Sequence, residues 1–350
     1  MLPSLVTYRY SLGGACSQPA RDSQSRLELK VSILRSSVVR FVAAIAILVL
    51  CLTVCSAAQQ PEPESVVRKP GRSMPVSAAT SNLKIEEALL GEHDDYPTFS
   101  RDMIRLTWRA GDPIDLFLIV PKGQPKPPVI LYLYSYPSDT DRFMNDDFCK
   151  FLAQGGFAAA GFVSALTGQR YHDRPMKEWF ISELPEVMEN SVEDVQMLLN
   201  FLASRGDVDV TRAGMFGEGS GGAIGILAAA MDPRIKALDL ADPWGDWPDW
   251  LAKSTLVPED ERAAYVKPEF LKNAAPLDPV QWFGQVKIPV RLQFLSEPAV
   301  TPLAARERIA GAAPKQAKVI PYKDAVAQYK AAKLKFFDWI KDQLRPAPVQ

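Results

Sequence analysis

The chain has 350 residues, 47% of them apolar and 23% charged, with a formal net charge of −1. That is the profile of a globular protein, long enough for one large domain or two small ones. The near-neutral balance and the absence of a basic stripe leave no reason to expect a nucleic-acid partner, and no internal repeat is visible.

The first residues differ in character from the rest. Arg35 and Arg40 precede the apolar run from Phe41 to Val54, and the small residues Cys55, Ser56, Ala57 and Ala58 follow it. This is the pattern of a secretory signal with its cleavage site. The stretch before Arg35 is unusually long for a signal's basic region, so residues 1–57 are read as an over-extended N-terminus plus a signal peptide. Two alternatives remain open. Leu52-Thr53-Val54-Cys55 resembles a lipoprotein box with valine in place of the usual small residue, and an uncleaved anchor would have to work with fourteen apolar residues where a span needs about 20. Export is the expectation, with membrane contact only through such an anchor or lipid.

Removing residues 1–57 takes six basic and two acidic residues from the 40 and 41, leaving 34 and 39 and a net charge of −5. Of Cys16, Cys51, Cys55 and Cys149, only Cys149 then remains, so neither a disulfide framework nor a cysteine metal cluster is expected. Cys149 lies in the helical pattern "DDFCKFLAQGG" and reads as a small core residue. Residues 58–95, proline- and charge-rich at first, read as a linker and lead-in, with His93 as a solvated loop residue. A single domain is assigned to residues 96–346.

Within that domain strands and helices alternate. The predicted strands are Ile104–Trp108, Asp115–Val120, Val129–Tyr134, Ala158–Val163, Ala213–Phe216, Ala237–Leu240, Val290–Phe294 and Ala317–Pro321. Several are short apolar runs without strict alternation, as in a parallel sheet covered on both faces. In "SVEDVQMLLNFLASRG" the apolar residues follow the helical period, with Ser191 as N-cap and Gly206 at the close. A last helix is predicted from about Asp324 to Leu344. The alternation implies a doubly wound, mostly parallel, eight-stranded α/β sheet, whose ligands bind beyond the carboxyl ends of the strands. "TGQRYHDRPMKEWFISELP" and "DPWGDWPDWLAKS" leave such strand ends and are rich in aromatic residues, as a lid or pocket wall would be. Trp244, Trp247 and Trp250 sit three apart. They fit either a ligand-stacking wall or a helix packed on the core.

"AGMFGEGSGGAIGILAAA" joins a strand to a small-residue helix through a glycine-rich turn. Strand, G-x-S-x-G, helix is the nucleophile elbow, in which positions two before and two after the tip must be small. Two registers fit. One puts Gly219 at the tip between Gly217 and Gly221. The other puts Ser220 there and leaves Glu218 where a small residue is needed. Sterics favour Gly219. With its surroundings "GDVDVTRAGMFG" and "GGAIGILAAAMDPRIKALDL", and with "PVILYLYSYPSD", "FLAQGGFAAAGF" and "FFDWIKDQL", the turn resembles the α/β-hydrolase superfamily, in particular esterases and dienelactone-hydrolase or prolyl-oligopeptidase-type enzymes. The resemblance spans residues 100–345.

That resemblance implies a histidine after the final strand. "VIPYKDAVAQYKAAK" has none and offers Asp324, Gln328 and Tyr329 instead. The implied acid falls at Pro298, beside Glu297, and the histidine-glycine expected after the oxyanion-side strand is Ser135-Tyr136. A rebuilt triad would take Ser220 as nucleophile, His172 as base and Asp242 as acid. Binding positions expected around it are Ser135, Tyr136, Gly219, Gly221, Trp244 and Trp247. No metal or other cofactor is expected: His172 and Asp173 are adjacent without a third ligand at a recognisable spacing, and Asp239 lies only loosely where a dinucleotide-binding acid would. The two functions implied are a ligand- or partner-binding protein with a degenerate triad, and a serine hydrolase of small esters, lactones or amides acting through Ser220. The expected partner in either case is a small molecule.

Overall fold

In the computed structural model, the described residues are 85, 87–109, 112–135, 140–166, 180–297, 300–333 and 335–345. His172, Tyr136, Pro298 and the expected signal peptide lie outside them. The described residues fall in one compact unit, residues 69–350.

The strands are β1 (Glu87–Asp95), β2 (Phe99–Thr107), β3 (Ile114–Pro121), β4 (Pro128–Leu133), β5 (Ala158–Phe162), β6 (Asp209–Glu218), β7 (Ile235–Ala241), β8 (Val290–Glu297) and β9 (Lys318–Asp324). They form one sheet in the order β1-β2-β3-β5-β4-β6-β7-β8-β9. The first three strands join by antiparallel pairings, and every pairing from β5 to β9 is parallel. All eight predicted strands are present. The ninth, β1, forms from the segment expected to be a lead-in. It is exposed along almost its whole length, so its sequence carries no buried alternation to signal a strand. His93 is therefore a strand residue, with Nδ1 2.6 Å from Asp102 Oδ1.

The described helices are α1 (Asp146–Ala153), α2 (Leu184–Arg205), α3 (Ser220–Met231), α4 (Trp247–Lys253), α5 (Arg262–Tyr265), α6 (Pro268–Ala274), α7 (Pro279–Phe283), α8 (Leu303–Ala312), α9 (Ala325–Ala332) and α10 (Asp338–Leu344). Alternate residues of β4 divide the core. Val129, Leu131 and Leu133 join Leu198 of α2, Ile224 of α3 and Trp247 of α4, whereas Ile130 and Tyr132 join Leu152 of α1 and Ile340 of α10. Both faces are thus covered, which explains the unalternating apolar strands.

Two helix boundaries differ from the pattern. Helix α2 begins at Leu184, with proline in its first turn, and Ser191 is an interior residue rather than a cap. Its hydroxyl donates to the Val187 carbonyl at 2.7 Å and accepts from Ala165 N–H, so local back-bonding replaces capping. Gly206 does close this helix, at φ +76°. The last predicted helix is two, because Lys333 turns left-handed at φ +46° after α9. Cys149 is fully buried in α1, where its thiol donates to Phe143 O at 3.0 Å and burial pushes its pKa up. It packs as a small core residue.

Candidate ligand site at the glycine elbow

The turn from β6 into α3 decides the register. Gly219 has φ +52° and ψ −113°, a conformation open to glycine and strained for other residues. A Cβ on Gly217 would come within 2.7 Å of the Gly221 carbonyl carbon, and one on Gly221 within 2.6 Å of the Leu133 carbonyl carbon. The two positions that must be small are therefore Gly217 and Gly221, and Gly219 is the tip. Backbone bonds fix it: Gly219 N–H donates to Ala241 O at 2.8 Å, and its carbonyl accepts from Trp244 N–H at 3.0 Å and Ala223 N–H at 3.1 Å.

The space above the tip is filled. A Cβ on Gly219 would lie 2.7 Å from Ser135 Cβ and 3.0 Å from Trp244 Nε1, and would collide with the Ser135 hydroxyl. A nucleophile's side chain would need that volume. Ser220 is the first residue of α3 and is completely buried, one position past the tip.

Asp242 follows β7 in a left-handed conformation, φ +45°. Its carboxylate faces β8: Oδ1 accepts from Leu295 N–H at 3.4 Å and lies 3.9 Å from Arg306 Nε. Its backbone carbonyl is bonded by the Thr301 hydroxyl. Burial lifts its pKa from the ordinary 3.8 to about 6, with Arg306 opposing. Because the folded state then holds the proton more tightly, this carboxyl loses stability for the protein as pH rises from about 4 to about 6, by up to roughly 3 kcal/mol. Asp242→Asn, which keeps a residue tolerant of positive φ, is expected to raise the melting temperature near pH 8 and leave it unchanged near pH 4.

The tryptophans belong to the core. Trp244, Trp247 and Trp250 are fully buried, the Trp244 and Trp250 rings are 4.6 Å apart, and Trp247 Nε1 donates to Leu277 O at 3.0 Å. Of the two readings of this segment, packing describes Trp247. It describes Trp244 as well, which also packs against the elbow.

Of the two histidines, His93 stands on β1, five strand spacings from β6, about 24 Å away. It cannot serve Ser220. The place after β9 is occupied by amides. Gln328 of α9 is buried and donates to Gln293 Oε1 at 3.1 Å, and Gln293 in turn donates to Asp239 at 3.0 Å. Asp324 caps α9 through Ala327 N–H at 2.7 Å. Tyr329 is 60% exposed and Glu297 is exposed. Asp239 itself makes a two-pronged ion pair with Arg291, at 2.8 and 2.5 Å. Spacing had connected Asp239 only to a weak nucleotide-binding pattern.

Read from sequence, Glu218 has no part in a site beyond its bulk in one register, and Arg142 has none. The register Leu133↔Gly217 sets Tyr134 and Glu218 side by side one step further on, on the face opposite α3. Arg142 lies over the Tyr134 ring, 3.6 Å from its centre.

No family model matches the sequence, and no curated protein matches it. Solved structures do resemble the fold. Acetyl xylan esterase 1 from Thermoanaerobacterium sp. aligns over 75% of this chain and 91% of its own, at 17% identity and a TM-score of 0.61. An acetyl xylan esterase from Paenibacillus sp. aligns over 75% and 92%, at 18% identity and 0.62. The acylaminoacyl peptidase of Pyrococcus horikoshii aligns over 73% of this chain and 43% of its own, at 16% identity and 0.56. The sheet order, the elbow and these likenesses define an α/β-hydrolase fold. In this chain the tip of the elbow is a glycine, Gly219.

Proposed function

We propose that this protein is an exported α/β-hydrolase-fold protein that binds a small ligand or a partner and lacks a working Ser-His-Asp triad. The observation carrying this reading is the elbow tip: Gly219 has no side chain, and Ser135 and Trp244 occupy the volume a nucleophile would need. The Gln328 amide after β9, bonded to Gln293 of β8, adds to it, because neither amide can accept a proton at neutral pH. Export is supported by the basic-apolar-small succession from Arg35 to Ala58.

The second reading, acyl transfer through Ser220 with His172 as base and Asp242 as acid, draws on the esterases and the acyl-peptidase that share the fold. Against it stands the Asp242 carboxylate, which is engaged toward β8. Incubation with a fluorophosphonate probe, beside a short activated ester, separates the two. The expected result is neither labelling nor turnover above background. Stoichiometric labelling at Ser220, with turnover lost in Ser220→Ala and in His172→Ala, would establish the hydrolase.

A further inference from the structure

The elbow mouth holds a charged pair that no structural role accounts for. Glu218 ends β6 one residue before the tip. Among the described residues its carboxylate makes no hydrogen bond and no ion pair, whereas the other acids near the elbow, Asp239, Asp242 and Asp246, each have donors. Burial raises its pKa, and Arg142 is the one cation that opposes the rise. Leaving a half-buried carboxylate without a donor is costly, and such groups concentrate where ligands bind.

The neighbours indicate what would complete it. Arg142 is held against the Tyr134 ring and does not close an ion pair with Glu218. Burial keeps the Tyr134 phenol neutral, with a pKa pushed up to about 12. An acceptor, a donor and a hydroxyl therefore share one strand end, and their formal charges cancel. A ligand cation placed there would meet Arg142, and a ligand anion would meet Glu218. A neutral group with donor and acceptor side by side satisfies both, as a carboxamide or neighbouring hydroxyls do.

We propose that Glu218, Arg142 and Tyr134 form a polar subsite beside the elbow that receives an uncharged donor–acceptor group of the ligand, a carboxamide or a pair of hydroxyls. The subsite rests on the reading of this mouth as a binding site, and it holds whether or not Ser220 reacts.

The test follows the Glu218 side-chain carboxyl by carbon NMR, assigned by its loss in Glu218→Gln. The full-length protein is titrated separately with N-acetylglycinamide, methyl β-xyloside, ethylammonium and acetate at constant ionic strength. One of the two neutral probes is expected to shift the resonance saturably, and the one that does identifies amide or hydroxyl as the source. Arg142→Met, at a half-buried position, is expected to weaken that binding about tenfold without changing the thermal midpoint by more than a few degrees. A resonance unmoved by both neutral probes would overturn the subsite, as would tighter binding of either ion or an affinity indifferent to Arg142→Met. Fluorophosphonate labelling of Ser220 would overturn the non-catalytic reading alone and leave this titration intact.

Discussion

Gly221→Ala is expected to cost more than about 4 kcal/mol, beyond the range of ordinary substitutions. Its added methyl would overlap the backbone of β4, with Leu133 O and C as the nearest atoms. Both partners are backbone, one in the middle of the sheet and one in the first turn of α3, so neither can swing aside as a side chain would. Gly225→Ala, one turn further along the same helix, is the control. Its Cβ would meet Leu238 Cδ1 at 3.2 Å and Met215 Sδ at 3.6 Å, the ends of adaptable side chains. Helix propensity there favours alanine by about 1 kcal/mol, enough to offset a small adjustment. Denaturant unfolding of the two variants is expected to leave Gly225→Ala within about 1 kcal/mol of the parent, with Gly221→Ala unfolded or insoluble. A parental midpoint for Gly221→Ala would mean that α3 does not approach β4 so closely. The separation of Ser135 from Gly219, on which the filled tip depends, would then have to be redrawn.

The same close approach shows why part of the molecule was legible from sequence. Eight strands announced themselves as apolar runs, and the glycine spacing of the elbow left two registers, of which sterics favoured the one the structure has. Strand β1 gave no such signal, because an edge strand exposed on both sides need not alternate. Ser191 misled because a serine before an apolar run looks like a cap, although its hydroxyl bonds back within the helix. The site was harder still. Glu218 entered the sequence argument only as a residue too large for one register, and nothing in the chain says that Tyr134 stands beside it or that Arg142 covers that ring. The three meet only through the parallel pairing of β4 with β6. Likewise, the absence of a histidine after β9 was plain, but its replacement by a Gln293–Gln328 bond needed the β8–β9 packing to be seen.

Arg291→Met should prove the most damaging change among the ion pairs, at about 3–5 kcal/mol, because it leaves Asp239 buried without its cation. Asp239 is wholly buried in β7, and Arg291 grips both of its oxygens while also donating to Phe336 O at 2.7 Å. Burial already pushes the Asp239 carboxyl up, and Arg291 and Gln293 hold it down. Removing the guanidinium raises the folded-state pKa further above the unfolded value. The stability lost must therefore grow as pH climbs from about 4 towards that higher value, so Arg291→Met is expected to be hurt less near pH 5 than near pH 8. Adding Asp239→Asn removes the charge, keeps an oxygen for Gln293 Nε2, and should recover most of the loss with a flat pH response. A deficit of about 1 kcal/mol remains for the Phe336 carbonyl. Thermal melts of the single and double variants at the two pH values check each step, and equal losses for Arg291→Met at both would show Asp239 staying ionised without its partner. The chain from Asp239 through Gln293 to Gln328 ends at α9, where the resemblance would put the base. The double variant therefore also measures how far this network, rather than catalysis, holds that position in place.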